Sequence, residues 1–142
     1  MKVEWITITN KEDMKAYQEM YECFFPLETD SDLTYQMFKE ETPDKVYILN
    51  INRLTSCWVS LFIDPENPKI VTNLSVVIFE KSTVFKSLRE LIKKIKEEYD
   101  EVSFFTVDDT TTDKIINKMN KEFDNNLFQP VLKNINLYKY KK

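Results

Sequence analysis

Glycine is missing altogether from this 142-residue chain, histidine is missing as well, and alanine occurs once, at Ala16. At the usual glycine share of about 7%, a chain of this length carries about ten. Without glycine, turns that need a positive φ are expected to fall to asparagine and aspartate, which tolerate that region best. Without histidine, His-based triads and the common His/Cys zinc sites are excluded, and no metal site is expected. Cys23 and Cys57 lie far apart with no C-x-x-C spacing, the pattern of two buried, reduced thiols. Arginine is scarce, 2 residues against 18 lysines. A nucleic-acid interface calls for a basic stripe with arginine and stacking aromatics, so nucleic acid is not an expected partner. No apolar run reaches the roughly 18 residues of a membrane span. The opening MKVEWITITNKED also lacks the apolar stretch of a signal peptide, so a cytoplasmic protein without membrane contact is expected.

Asparagine, isoleucine, lysine, phenylalanine and tyrosine are abundant instead, and their codons are AT-rich. An AT-rich genome, that of a low-GC bacterium or of a phage that infects one, accounts for this composition and for part of the missing glycine. A hydrophobic share of 42% and a charged share of 31% are those of a globular protein. With no repeat, low-complexity tract or linker, a single domain over residues 1–142 is expected. Net charge is −4, unevenly spread: residues 1–44 hold 4 lysines against 11 acids, and residues 114–142 hold 7 lysines against 2 acids.

Val3 to Ile8 alternates as a strand. Asn10 is placed to cap a helix in which Met14, Tyr17, Tyr21 and Phe24 recur at helical spacing, with Pro26 beyond its end. A shorter helix is expected from Asp30 or Ser31 to about Glu40. Lys45 to Asn52 and Thr55 to Ile63 read as a hairpin, Asp64 to Pro68 as a rigid turn, and Ile70 to Phe79 as a central strand buried on both faces. The strongest helix runs from Ser82 to about Tyr99, with Val84, Leu88, Leu91, Ile92, Ile95 and Tyr99 as its apolar stripe and Ser82 or Thr83 as its N-cap. Val102 to Val107 is a strand. Thr110 with Asp113 reads as a capping box opening a helix that buries Ile115, Ile116, Met119 and Phe123. Leu127 to Lys133 and Ile135 to Tyr140 close the chain as two strands.

The order is therefore β-α-α-β-β-β-α-β-α-β-β, an α/β (α+β) layered domain with a mixed central sheet of six or seven strands and about four flanking helices. This order, the chain length and the closing LYKYKK resemble the GCN5-related N-acetyltransferase (GNAT) superfamily over essentially the whole chain. In that family the strand before the strongest helix and the turn between them form the acyl-CoA site. The family motif there is Gln or Arg, two residues, Gly, any residue, then Gly or Ala. In this chain the motif falls within FEKSTVFKSL, on Glu80, Lys81, Ser82, Thr83, Val84 and Phe85. Every defining position departs: Glu80 sets a negative charge beside a pyrophosphate, and Thr83 and Phe85 replace the two small residues. A Phe85 ring aimed at the turn would fill space that phosphates need, whereas a rotation of the helix buries it in the core. The family's general acid is a tyrosine in the last helix, and the matching stretch NKMNKEF has none.

The resemblance implies an N-acyltransferase using acetyl-CoA or another acyl-CoA. Backbone N–H groups of Val76, Val77 and Ile78 would hold the acyl and pantetheine part, and those of Ser82 to Phe85 the phosphates, with Lys81 and Lys86 offsetting Glu80. The base would be a carboxylate, Asp108 (with Asp109 beside it) or Glu80, acting directly or through water; Asp108 and Asp109 equally suit a turn before a helix. The acceptor would be a small-molecule or protein amine drawn to the acidic stretch between Lys11 and Glu40. The same departures fit a catalytically inactive GNAT-fold protein that binds or inhibits a protein partner, as a virus uses against a host factor. A structural or assembly protein that forms a homodimer through the edge of its aromatic-rich last strands is the third reading. Cys57, Trp5 and Trp58 read as core residues before nucleophile or ligand platform.

Overall fold

Asn10 begins the first helix as its position predicts. Its side-chain oxygen accepts the backbone N–H groups of Glu12 at 2.8 Å and Asp13 at 3.4 Å, which satisfies donors that the first helical turn cannot pair internally. The computed structural model describes residues 2–24, 42–79, 81–105, 114, 117–121, 129–132 and 135–141. The described elements are β1 (Val3–Ile8), α1 (Lys11–Phe24), β2 (Lys45–Ile51), β3 (Leu54–Ile63), β4 (Ile70–Ile78), a 3₁₀ turn (Lys81–Thr83), α2 (Val84–Glu98), β5 (Glu101–Phe105), β6 (Gln129–Leu132) and β7 (Ile135–Lys141). Residues 117–121 are also helical. The expected helix from Asp30 or Ser31 to Glu40 and the capping pair Thr110 and Asp113 lie outside the described residues. The architecture is a mixed α+β sheet, and no helix among the described residues is long and apolar enough to cross a membrane.

Two compact units are formed, Met1–Phe62 with Ser75–Phe79, and Ile63–Leu74 with Glu80–Lys142. In the first, the order is β1-β2-β3-β4, and β1 to β3 are antiparallel neighbours. Both faces of β2 are buried. Val46 and Ile48 point into a cluster with Ile8, Met14, Trp58 and Phe79, and Tyr47 and Leu49, on the opposite face, are also buried. Each such aliphatic side chain contributes about 1.5–3 kcal/mol on leaving water. Cys57 is fully buried, and Trp58 packs edge-on against Phe79 with ring centroids 5.3 Å apart, so both are core residues as expected. Trp5 meets Tyr47 in the same way at 5.9 Å.

The β2–β3 hairpin turns on two residues, Asn52 at φ 52° and Arg53 at φ 69°. Such a pair gives the turn the twist of its flanking strands. The asparagine fits the expectation for a glycine-free chain; the arginine does not, since its Cβ crowds the carbonyl there. Asn52 also exchanges bonds with Lys2, its N–H donating to the Lys2 carbonyl at 2.8 Å and its side-chain oxygen accepting the Lys2 N–H at 3.1 Å. Farther along, the register shifts between Leu49 and Asn50.

In the second unit the order is β4-β5-β7-β6, with β5 parallel to β4 and antiparallel to β7. The turn before β4 is stiff: the Asp64 side chain accepts the Glu66 N–H at 2.8 Å, and the Asp64 N–H donates to the Ile70 carbonyl at 2.9 Å. Contrary to the expected strand buried on both faces, β4 buries Val71 and Leu74 but exposes Thr72, so polar residues are tolerated along it. On α2 the buried positions are Ser87, Leu91, Ile92 and Ile95, followed by Tyr99. Its C-terminus is tied by Lys69, whose ammonium donates to the Glu98 carbonyl at 3.3 Å. Met119 is buried as expected.

Candidate functional site

β4 leads straight into the stretch that the motif alignment singled out. Phe79, just past the strand, is fixed twice within the first unit: its N–H donates to the Ser56 carbonyl at 3.0 Å, and its ring packs on Trp58. The next described residues, Lys81–Thr83, form the 3₁₀ turn from which α2 starts at Val84. This corrects the N-cap expectation. Thr83 occupies the cap position with φ −104° and ψ 8°, outside the extended region from which a cap side chain reaches back, and makes no side-chain capping bond. Ser82 is exposed within the 3₁₀ turn.

The first four N–H groups of an α-helix have no intrahelical acceptor, and the helix dipole places positive potential beside them. In α2 no acidic residue stands in that first turn; Lys86 does. Phe85, the second helical residue, is half-buried, and its ring is covered by the ammonium of Lys118, 3.8 Å from the ring centroid. The ring is therefore engaged with the helix at residues 117–121. Lys118 itself is exposed, as are Lys121 on the same helix and Lys114.

Within the second unit, the pairing of β4 with β5 is short. Ile70 faces Glu101 and Val71 faces Val102. These two pairs are the register of the parallel ladder among the described residues. Meanwhile β5 stays paired with β7 as far as Phe105, opposite Leu137. Strand backbone is able to hold an extended, amide-bearing ligand in the way it holds an added strand.

Of the residues singled out from sequence, Lys81 to Phe85 form one continuous turn into α2, and Val76, Val77 and Ile78 form the last part of β4. Glu80 and Asp108, the candidate bases, lie outside the described residues, as do the side chains of Val77 and Lys81. Lys118 was missed. It sits within NKMNKEF, and an exposed lysine on a helix carries no mark in sequence that it reaches the start of another helix. Among the described residues no group of three metal-ligating side chains occurs.

No family model matches the chain, and no curated protein matches it. Solved structures do. An N-acetyltransferase from Staphylococcus aureus Mu50 is 14% identical, with 99% of each chain covered and a TM-score of 0.55. The Campylobacter jejuni N-acetyltransferase PseH in complex with acetyl coenzyme A is 9% identical, with 98% of this chain and 96% of that chain covered and a TM-score of 0.57. RimL, the ribosomal L7/L12 α-N-protein acetyltransferase, in complex with coenzyme A, is 10% identical, with 98% of this chain and 93% of that one covered and a TM-score of 0.58. The mixed sheet and these likenesses together give the chain a divergent form of the GNAT fold.

Proposed function

We propose that this protein is an N-acyltransferase that takes an acyl group from acetyl-CoA or another acyl-CoA and passes it to an amine. The observation that carries the reading is the short parallel β4–β5 ladder, Ile70 with Glu101 and Val71 with Val102, in a strand β4 that runs on to Ile78. The acetyl-CoA and CoA complexes among the structural neighbours support the same choice of donor. In the proposed reaction the amine nitrogen attacks the thioester carbonyl, the C–S bond breaks, and the CoA thiolate leaves. The amine gives up its proton to a carboxylate, Glu80 or Asp108, directly or through water. Backbone N–H groups of Val76 to Ile78 hold the pantetheine and acyl part, and the turn from Lys81 to Phe85 faces the phosphates. A cationic amine is drawn by the acidic stretch between Lys11 and Glu40. The whole of residues 1–142 acts as a single cytoplasmic domain.

A ligand that binds only the folded state raises the unfolding midpoint. The purified protein is therefore expected to melt higher as CoA or acetyl-CoA is added, and to release free thiol from acetyl-CoA when a suitable amine is supplied. One observation favours a second reading, a GNAT-fold binding protein without catalysis: bulky Phe85 stands where the family motif has its second small residue. That reading predicts no midpoint shift at millimolar CoA, and such a result would overturn the acyltransferase.

A further inference from the structure

The glycine-containing motif works by letting backbone amides approach phosphate oxygens, and this chain has no glycine with which to do so. What stands beside the first turn of α2 instead is a side-chain pair, the Phe85 ring with the Lys118 ammonium over its face at 3.8 Å. Lys118 is exposed, so its ammonium keeps much of its hydration over the half-buried ring and is held there only modestly. A phosphate oxygen offers it a charge-assisted hydrogen bond, which is stronger. Lys121, exposed on the same helix, adds to the positive field.

Resting on the acyl-CoA reading above, we propose that Lys118 is the residue that makes the site select a phosphate-bearing acyl donor, with Phe85 holding its ammonium when the site is empty. When the donor binds, the ammonium leaves the ring for a phosphate oxygen, so a side-chain charge from the neighbouring helix does what shaped backbone does elsewhere in the fold. Phe85 and Lys118 then oppose each other energetically: the ring competes with the phosphate for the same cation.

The test is calorimetric titration of the full chain with CoA and with pantetheine, which carries no phosphate, at low and high salt. Lys118→Met, which keeps the aliphatic stem, is expected to weaken CoA binding about tenfold. It should also reduce the salt dependence and leave pantetheine binding unchanged; Lys118→Arg is expected to restore CoA binding, since it keeps charge and stacks on rings. Phe85→Ala should act in the opposite direction and tighten CoA binding roughly two- to fivefold. Thermal midpoints of the variants check that each is folded. Unchanged CoA affinity and salt dependence in folded Lys118→Met, with the wild type still binding CoA, overturns the role of Lys118 and leaves the acyltransferase standing. No CoA binding by the wild type overturns both.

Discussion

Arg53 is the residue least suited to its place. At φ 69° it occupies the second position of the β2–β3 turn, where a side chain costs about 1 kcal/mol relative to glycine. Arg53→Gly should raise the free energy of unfolding by about 0.5–1 kcal/mol, part of the gain being offset by glycine's freedom in the unfolded chain. Urea titration of the two proteins measures it, and a lower midpoint for the glycine variant would mean that the arginine side chain stabilises the turn in some other way. The position of the turn was legible because polar Asn52 and Arg53 interrupt two apolar alternations; the arginine was not, since in a chain without glycine asparagine or aspartate is the physical favourite for a positive φ. Asn10 is the opposite case. A side chain able to accept N–H groups, set just before an amphipathic run, has one obvious use, and Asn10 fulfils it.

Among the elements, α2 shows a division between its ends. Lys69 ties the Glu98 carbonyl and the Tyr99 N–H closes on Ile95 at one end, whereas the other has neither a side-chain cap nor an acid in its first turn. An acid there interacts favourably with the helix dipole by about 0.3–1 kcal/mol. Lys86→Glu is therefore expected to raise the melting midpoint of the unliganded protein while abolishing the rise produced by CoA, because the new carboxylate repels phosphate. Melting curves with and without CoA read both effects at once, and a variant that keeps its CoA shift would remove phosphate from this end of the helix. The apolar stripe from Leu91 to Tyr99 made α2 readable in sequence, since burial enforces the helical period. Its first turn was misplaced because Ser82 and Thr83 have cap chemistry, yet the backbone enters through a 3₁₀ turn. The short β4–β5 ladder left no trace either: strands in a short ladder and in a long one have the same alternation.

For the molecule as a whole, alkaline pH is the condition that its buried groups make informative. Burial pushes the Tyr140 phenol above its ordinary 10.0, and the Asp100 carboxylate adds in the same direction. The folded chain therefore holds this proton more tightly than the unfolded one. Its stabilising contribution is complete below the unfolded value and is lost as pH rises through the folded value. Tyr140→Phe should flatten the fall of stability at alkaline pH, measured as urea midpoints across that range, and an unchanged slope would assign the fall to other groups. In the second unit, the order β4-β5-β7-β6 has a consequence for how the protein reaches its native state. β5 and β6 are earlier in the chain than the strand between them, so the edge of β5 opposite β4 has no native partner until β7 arrives. An open strand edge is a template for pairing with another chain. A variant that slows the docking of β7 is therefore expected to lower the yield of native protein on refolding without altering its equilibrium stability.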